Sequence, residues 1–326
     1  MSEKRTIRWG LIGCGDISRR RVAPAFRELK SCHLLAVNRA DPQQLESFAQ
    51  EFEAEKTYSD WRDLVADPDI QAVYIATPVY LHAEMTQEAA KAGKHVLCEK
   101  PMAMSDTECR NMMNACRENR VCLGIAYYRH HYPVIQRIRE IIHERLIGNV
   151  MLIQINAFSP FDRRPGEPRY WLLEKDKSGG GPMMDFGCHR IEVMLDLLGP
   201  VDRVRADTDN LKYKRSVEDT AIAHFKFSSG ARGILTVTHT VPVGQDTLDL
   251  YGTEGSVHVP VLNKGFLRLK TPEKETKETW PPHANLHLPL IEDFTRAILD
   301  RREPAVSGET GFAVNQILTK IYSNSF

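Results

Sequence analysis

Three side chains in this sequence stand where their types and spacing suit proton chemistry. Lys100 closes the apolar run "HVLCEKP", beside Glu99 and before Pro101, and Asp185 and His189 lie four apart in "SGGGPMMDFGCHRIEVMLDLLG". A proline biases the residue before it to extended backbone, which helps aim a long side chain such as that of Lys100. Four residues span about one helical turn, so Asp185 and His189 share a face if a helix has begun there. Imidazole titrates near neutrality, and a neighbouring carboxylate raises its pKa and fixes its orientation. The pair suits general acid/base work on a hydroxyl proton leaving as hydride departs from the same carbon. The plainer alternatives are that Lys100 caps a strand and pairs with Glu99, and that Asp185 caps a helix in which His189 is a packed core residue.

Positioning these groups requires a frame. Through the first third, short apolar runs ("TIRWGLIG", "HLLAVN", "IQAVYIAT", "HVLCEK", "VCLGIAYY") alternate with longer amphipathic stretches. Strands apolar on both faces, alternating with helices, predict a doubly wound α/β domain with a parallel sheet, a Rossmann arrangement over residues 1–123. A helix over "PVIQRIREIIHERL" is expected to stop at Gly148. From residue 150 longer alternating strands joined by "SSGA" and "TEG" predict an α+β domain, 124–326, with an open, mainly antiparallel sheet. Two C-terminal helices, "LPLIEDFTRAILD" and "FAVNQILTKIYS", are read as part of that sheet's cover, and a second subunit as the rest.

Strands of a doubly wound sheet present their carboxyl ends to the ligand crevice. In "WGLIGCGDIS" the first strand ends in Gly13-Cys14-Gly15, and Asp16-Ile17 open the next helix, a turn suited to a pyrophosphate. Ser18 replaces the third glycine of the dinucleotide fingerprint. The second strand ends in Asn38-Arg39 where an NAD-selecting fold usually offers a carboxylate to the ribose, and Asp41 comes three places late. An amide beside a guanidinium would accept a 2′-phosphate, so NADP is favoured over NAD. Thr77, Pro78 and His82 follow the third strand of this reading, and "HVLCEKP", its fourth, brings Glu99 and Lys100 to the same rim.

Composition limits the partners. Lys plus Arg and Asp plus Glu both total 43, leaving no basic excess for nucleic acid or a membrane surface, so a small molecule is the expected ligand. Seven scattered cysteines without a C-x-x-C pair suit buried thiols in a reducing compartment; neither disulfides nor a metal site is expected. With no leader-like segment or membrane span in the sequence, a cytoplasmic protein is expected.

The segments "GLIGCGDIS", "ATPVYLHAEMTQEAAKAGKHVLCEKPMAMS", "LGIAYYRHHYP" and "GGGPMMDFGCH" together resemble the glucose-fructose oxidoreductase, inositol dehydrogenase and MocA (GFO/IDH/MocA) family, in order and across nearly the whole chain. The stretch through E-K-P is the most specific. The resemblance implies a Rossmann domain, a C-terminal domain whose sheet often forms the subunit interface of a homodimer or homotetramer, and an active site between the two domains. It places Lys100, Asp185 and His189 at the catalytic positions. Lys100 would polarise the reacting oxygen with support from Glu99, Pro101 would set the turn near the nicotinamide, and His189 would transfer the proton, with Asp185 orienting it. Many members carry an acidic residue where Asn38 stands. Tyr127, Tyr128 and Arg129 face the substrate or nicotinamide side in the family pattern, although such tyrosines can also be core. The loop "SPFDRRPGEPRYW" adds Arg163, Arg164, Arg169, Tyr170 and Trp171, an aromatic and guanidinium set that suits a sugar. The implied function is an NAD(P)-dependent oxidoreductase acting on a sugar, polyol or related secondary alcohol. Two other readings remain: a relative that retains its nucleotide and cleaves glycosides or couples two substrates, and a dinucleotide-sensing regulator without turnover.

Overall fold

Apolar runs too hydrophobic to face water on either side must be sandwiched, and the N-terminal alternation produces that result. In the computed structural model, which describes residues 6–323, the elements run β1 (Ile7–Ile12), α1 (Ala23–Glu28, entered through a π-helical turn, Ser18–Val22), β2 (Cys32–Asn38), α2 (Pro42–Phe52), β3 (Lys56–Tyr58), α3 (Trp61–Ala66), β4 (Ala72–Ile75), α4 (His82–Lys91), β5 (His95–Cys98), α5 (Asp106–Glu118) and β6 (Leu123–Ile125). The six strands are parallel in the order β3-β2-β1-β4-β5-β6, a doubly wound sheet whose order reverses beside β1. Helix α2 shows the local logic. Asp41 accepts the Gln44 N–H at 3.0 Å as its cap, Pro42 opens it, and Leu45, Phe48, Ala49 and Phe52 form its buried stripe.

The sequence reading omits β3, a three-residue edge strand without an apolar run, so the strands it counts third and fourth are β4 and β5.

The chain continues with α6 (Pro133–His143), β7 (Val150–Phe158), α7 (Lys175–Ser178), α8 (Cys188–Leu198), β8 (Val201–Asp209), β9 (Thr220–Phe227), β10 (Arg232–Thr238), β11 (Gln245–Gly252), β12 (Ser256–Val259), β13 (Phe266–Lys270), β14 (Glu275–Thr279), α9 (Leu288–Asp300) and α10 (Gly308–Ser323). Helix α6 ends at a Glu144 cap, short of Gly148, whose positive φ serves the turn into β7. The eight strands run β14-β13-β12-β11-β7-β10-β9-β8, antiparallel except for the β7 and β10 pair. Strand β14 (ETKET) has no apolar residue and escapes sequence reading. Helix α8 lies on this sheet, where a Cβ on Gly233 of β10 would stand 2.6 Å from Met194.

Contacts divide the chain into two units: residues through Tyr128 together with His283–Phe312, and Arg129–Pro282 together with the chain from Ala313. The break read from the sequence, 123/124, stands short of Tyr128 and does not anticipate the return of 283–312. Helix α9 therefore packs on the parallel sheet instead of covering the antiparallel one. Its Phe294 sits 5.8 Å from the Trp9 ring and fills the place a side chain on Gly124 would need, and Thr295 contacts Cys32 at 3.2 Å. No helix among the described residues is long and apolar enough to cross a membrane.

Candidate active site

The candidate cofactor-binding residues line the carboxyl edge of the parallel sheet. Gly13 follows β1 with φ +91°, and a Cβ there would lie 2.7 Å from the Ala76 carbonyl oxygen, so both backbone and space demand glycine. Gly15 is the opposite case: a Cβ would meet nothing within 4 Å. Crowding at the first glycine and open space at the second make a cradle that fits a dinucleotide's pyrophosphate. Ser18 does more than stay small, since its hydroxyl donates to the Gly13 carbonyl at 2.6 Å and pins the turn to the helix. Asp16 is exposed and meets Arg20 at 3.2 Å, and Ile17 leads into the π-helical turn.

At the end of β2 the Asn38 amide donates to the Tyr58 carbonyl at 2.9 Å, tying β2 to β3, and the Arg39 guanidinium donates to the Cys14 carbonyl inside the glycine turn. Asp41, committed to capping α2, is not displayed as a ribose ligand. The Thr77-Pro78 turn follows β4. His82, wholly buried, places one ring nitrogen 2.9 Å from the Thr77 carbonyl and the other 3.1 Å from that of Pro101, joining two turns of the rim.

Glu99 leaves β5 buried. Its carboxylate accepts from the Tyr74 hydroxyl at 2.8 Å, from His287 Nε2 at 3.3 Å and from the Lys100 backbone N–H at 3.2 Å. Burial works to raise its pKa, but the His287 hydrogen bond, the His287 and Lys100 charges and the Tyr74 hydroxyl prevail and hold it at about 2. Burial acts on His287 in the opposite sense and is the first cause lowering its pKa from the usual value. Tyr128 stacks on His287 with centroids 4.8 Å apart, and Arg21 lies 5.3 Å over the Tyr128 ring. Lys100, partly exposed, thus emerges from a backbone position fixed by a buried carboxylate.

Asp185 and His189 lie in the other unit. A π-helical turn, Met183–Gly187, carries Asp185 and runs into α8, whose first turn carries His189. Asp185 is partly buried and His189 almost wholly so. Of the three glycines before them, Gly179 ends α7 with a positive φ, and Gly180 and Gly181 serve the protein's own packing. The Glu218 carboxylate, buried behind them, accepts the Gly181 N–H at 2.8 Å, the Met183 N–H at 3.2 Å and the Tyr322 hydroxyl at 2.8 Å. A Cβ on Gly181 would stand 2.0 Å from the Glu218 carbonyl, and one on Gly180 2.2 Å from the Tyr322 hydroxyl. Burial pushes the Glu218 carboxyl up, against these three donors.

The loop after β7 brings Arg169 to Asp185: Arg169, left-handed at φ 69°, approaches it at 3.6 Å and lies 4.9 Å over the Phe161 ring. Arg163 also covers Phe161, at 5.0 Å, and Arg164 is exposed. Tyr170 and Trp171 pack on a small cluster of Phe161, Leu172, Leu173 and Val217. Tyr127 and Arg129 are buried, with Arg129 6.0 Å over Tyr132. Sequence reading missed His287, Glu218 and Tyr322. All three act on residues far along the chain, and only the "HLP" helix entry at His287 gave a local signal.

Comparison with known proteins agrees with this fold. The description "Oxidoreductase family, NAD-binding Rossmann fold" matches residues 7–127, and "GFO/IDH/MocA C-terminal domain" matches 135–258. The chain is 30% identical over 313 residues to 1,5-anhydro-D-fructose reductase of Ensifer adhaerens, covering 93% of this chain and 92% of that one. A structure of levoglucosan dehydrogenase with NADH and levoglucosan superposes with TM-score 0.90 at 25% identity, over 98% of this chain and 97% of that one. An aldose-aldose oxidoreductase from Caulobacter crescentus gives 0.89 at 26%, over 98% of each chain. The chain is therefore an NAD(P)-dependent oxidoreductase belonging to the GFO/IDH/MocA family.

Proposed function

We propose that the chain transfers hydride between nicotinamide and a secondary alcohol or ketone of a sugar, polyol or related small molecule. The observation that carries this reading is the single rim on which the glycine turn, Thr77-Pro78 and Glu99-Lys100 all leave the carboxyl edge of one parallel sheet. Gly13, Gly15, Asp16, Ile17, Asn38, Arg39, Thr77 and Pro78 hold the dinucleotide, which supplies the hydride chemistry once bound; His82 and Glu99 keep the rim in shape. Lys100, through its Nζ ammonium, polarises the reacting oxygen. An imidazole nitrogen of His189 takes or returns the hydroxyl proton, and Asp185 orients His189 and the substrate. Tyr128, Arg129, Arg163, Arg164, Tyr170 and Trp171 contribute to sugar binding. We favour NADP over NAD because Arg39 stands at the glycine turn and Asp41, the carboxylate that follows β2, caps a helix.

The chain works in the cytoplasm, where its seven free thiols stay reduced. The open face of the eight-stranded sheet, with Ile222 and Tyr251 exposed, mates with a second copy as a homodimer or homotetramer. The likeness to the aldose-aldose oxidoreductase of Caulobacter favours a second reading, in which the nucleotide is retained and two sugars are coupled.

Titration with NADPH and NADH, followed by supply of levoglucosan, myo-inositol, D-xylose and 1,5-anhydro-D-fructose, tests both readings. Tighter NADPH binding, weakened about 10- to 100-fold in Arg39→Ala with NADH little changed, is the expected result, with nicotinamide absorbance changing on supply of at least one sugar. Dinucleotide binding without any turnover would favour the sensor. A stoichiometric nucleotide released on denaturation would mark the coupled enzyme.

A further inference from the structure

His239, just past the end of β10, is buried to 1% exposure, yet the far edge of its ring finds no hydrogen-bond partner in the protein. Its Nδ1 lies 2.7 Å from Arg215 Nη2. A guanidinium has only donors, so Nδ1 must accept and the ring proton must sit on Nε2. That Nε2–H is buried and has no acceptor in the protein. Arg215 is itself fixed by donating to the Glu218 and Phe161 carbonyls, and the ring is walled by Phe161 at 5.2 Å and Phe186 at 5.4 Å between centroids. Burial first, then the Arg215 charge, brings the His239 pKa down to about 4; the other charges it feels are Asp185, Arg169 and Asp219. The ring is therefore a neutral donor of fixed tautomer, electrostatically in reach of the carboxylate assigned to orient the substrate.

We propose that His239 Nε2–H is a specificity-determining donor that hydrogen-bonds one oxygen of the carbohydrate substrate, a hydroxyl or carbonyl oxygen other than the one being oxidised. The inference rests on the sugar-oxidoreductase reading above and deepens it. A buried donor left without a partner penalises any ligand that lacks the matching oxygen, so the site discriminates against the corresponding deoxy compound. Because burial, with the Arg215 charge, disfavours the imidazolium, this discrimination does not vary with pH across the neutral range.

The test uses the full chain with NADP+ or NADPH, the most active of the four sugars named above and its monodeoxy analogues. In the wild type one deoxy position should lower kcat/KM by about 10- to 100-fold. In His239→Phe the parent sugar should fall by a similar factor, and the penalty at that one position should vanish while the other positions keep theirs. His239→Gln, which retains an N–H donor, should restore part of it. NADPH affinity should be unchanged throughout. Should His239→Phe fail to fold, His239→Leu, which also lacks the donor, carries the same comparison. Identical deoxy penalties in variant and wild type would overturn the proposal while leaving the oxidoreductase reading intact. A wild type that turns over none of the four sugars would overturn that reading and this proposal with it.

Discussion

Lys100→Met should bind dinucleotide as the wild type does and lose turnover by roughly 100- to 10,000-fold. Methionine keeps most of the side-chain length and apolar stem, so the rim packs as before; only the ammonium is lost. That charge is needed most when the reacting oxygen gains negative character, so its removal should fall on kcat more than on KM. Lys100 is suited to this role by what lies behind it. Its backbone N–H is held by the Glu99 carboxylate at 3.2 Å, and its side chain remains partly exposed at the carboxyl edge of the sheet. Steady-state kinetics together with NADPH titration separate the two effects.

The second large effect is expected at Glu99. Its carboxylate satisfies three donors from separate parts of the chain, the Tyr74 hydroxyl, His287 Nε2 and the Lys100 N–H. Glu99→Gln keeps the shape, loses the charge, and turns an N–H2 toward groups that also donate. A loss of about 3 kcal/mol is expected, measured by thermal or urea unfolding. The acid limb of stability gives an independent check. Glu99 has a folded pKa of about 2 against an ordinary 4.5, so the unfolded chain takes up its proton first as pH falls. The stabilisation is complete above about pH 4.5 and is lost as pH drops toward 2, and the drop over this window should be smaller in Glu99→Gln. His239 acts in a different window. Its folded value of about 4 lies below the usual 6.5, so its contribution holds above 6.5 and is lost between 6.5 and 4.

Local pattern carried most of the fold into the sequence. Apolar runs bounded by turns located β1, β2, β4 and β5, and alternation located β7 and β8 to the residue. The edge strands β3 and β14 were invisible because an edge needs little apolar surface and these two show almost none. Helix α9 was recognisable as a helix, but its partner was not. Its apolar stripe would suit either sheet, and only the fit of Phe294 against Gly124 and Trp9 decides. Among the proposed site residues, the glycine turn and the Lys100, Asp185 and His189 positions could be named from motif and spacing. The groups behind them could not. Glu99 and His287 are 188 residues apart, and Glu218 reaches Gly181 and Tyr322 from an unremarkable V-E-D. Such pairings are set by three-dimensional packing and leave no local spacing to read.

The central proposal is that Lys100 and His189 serve one proton and hydride step. A double-mutant cycle on kcat, with Lys100→Met, His189→Asn and the combined variant, tests it most directly. If the two act as one apparatus, the double variant should be little worse than the poorer single variant, as for catalytic groups that work as a unit. Losses that multiply in the double variant would mean the two residues act independently, and would contradict the assignment.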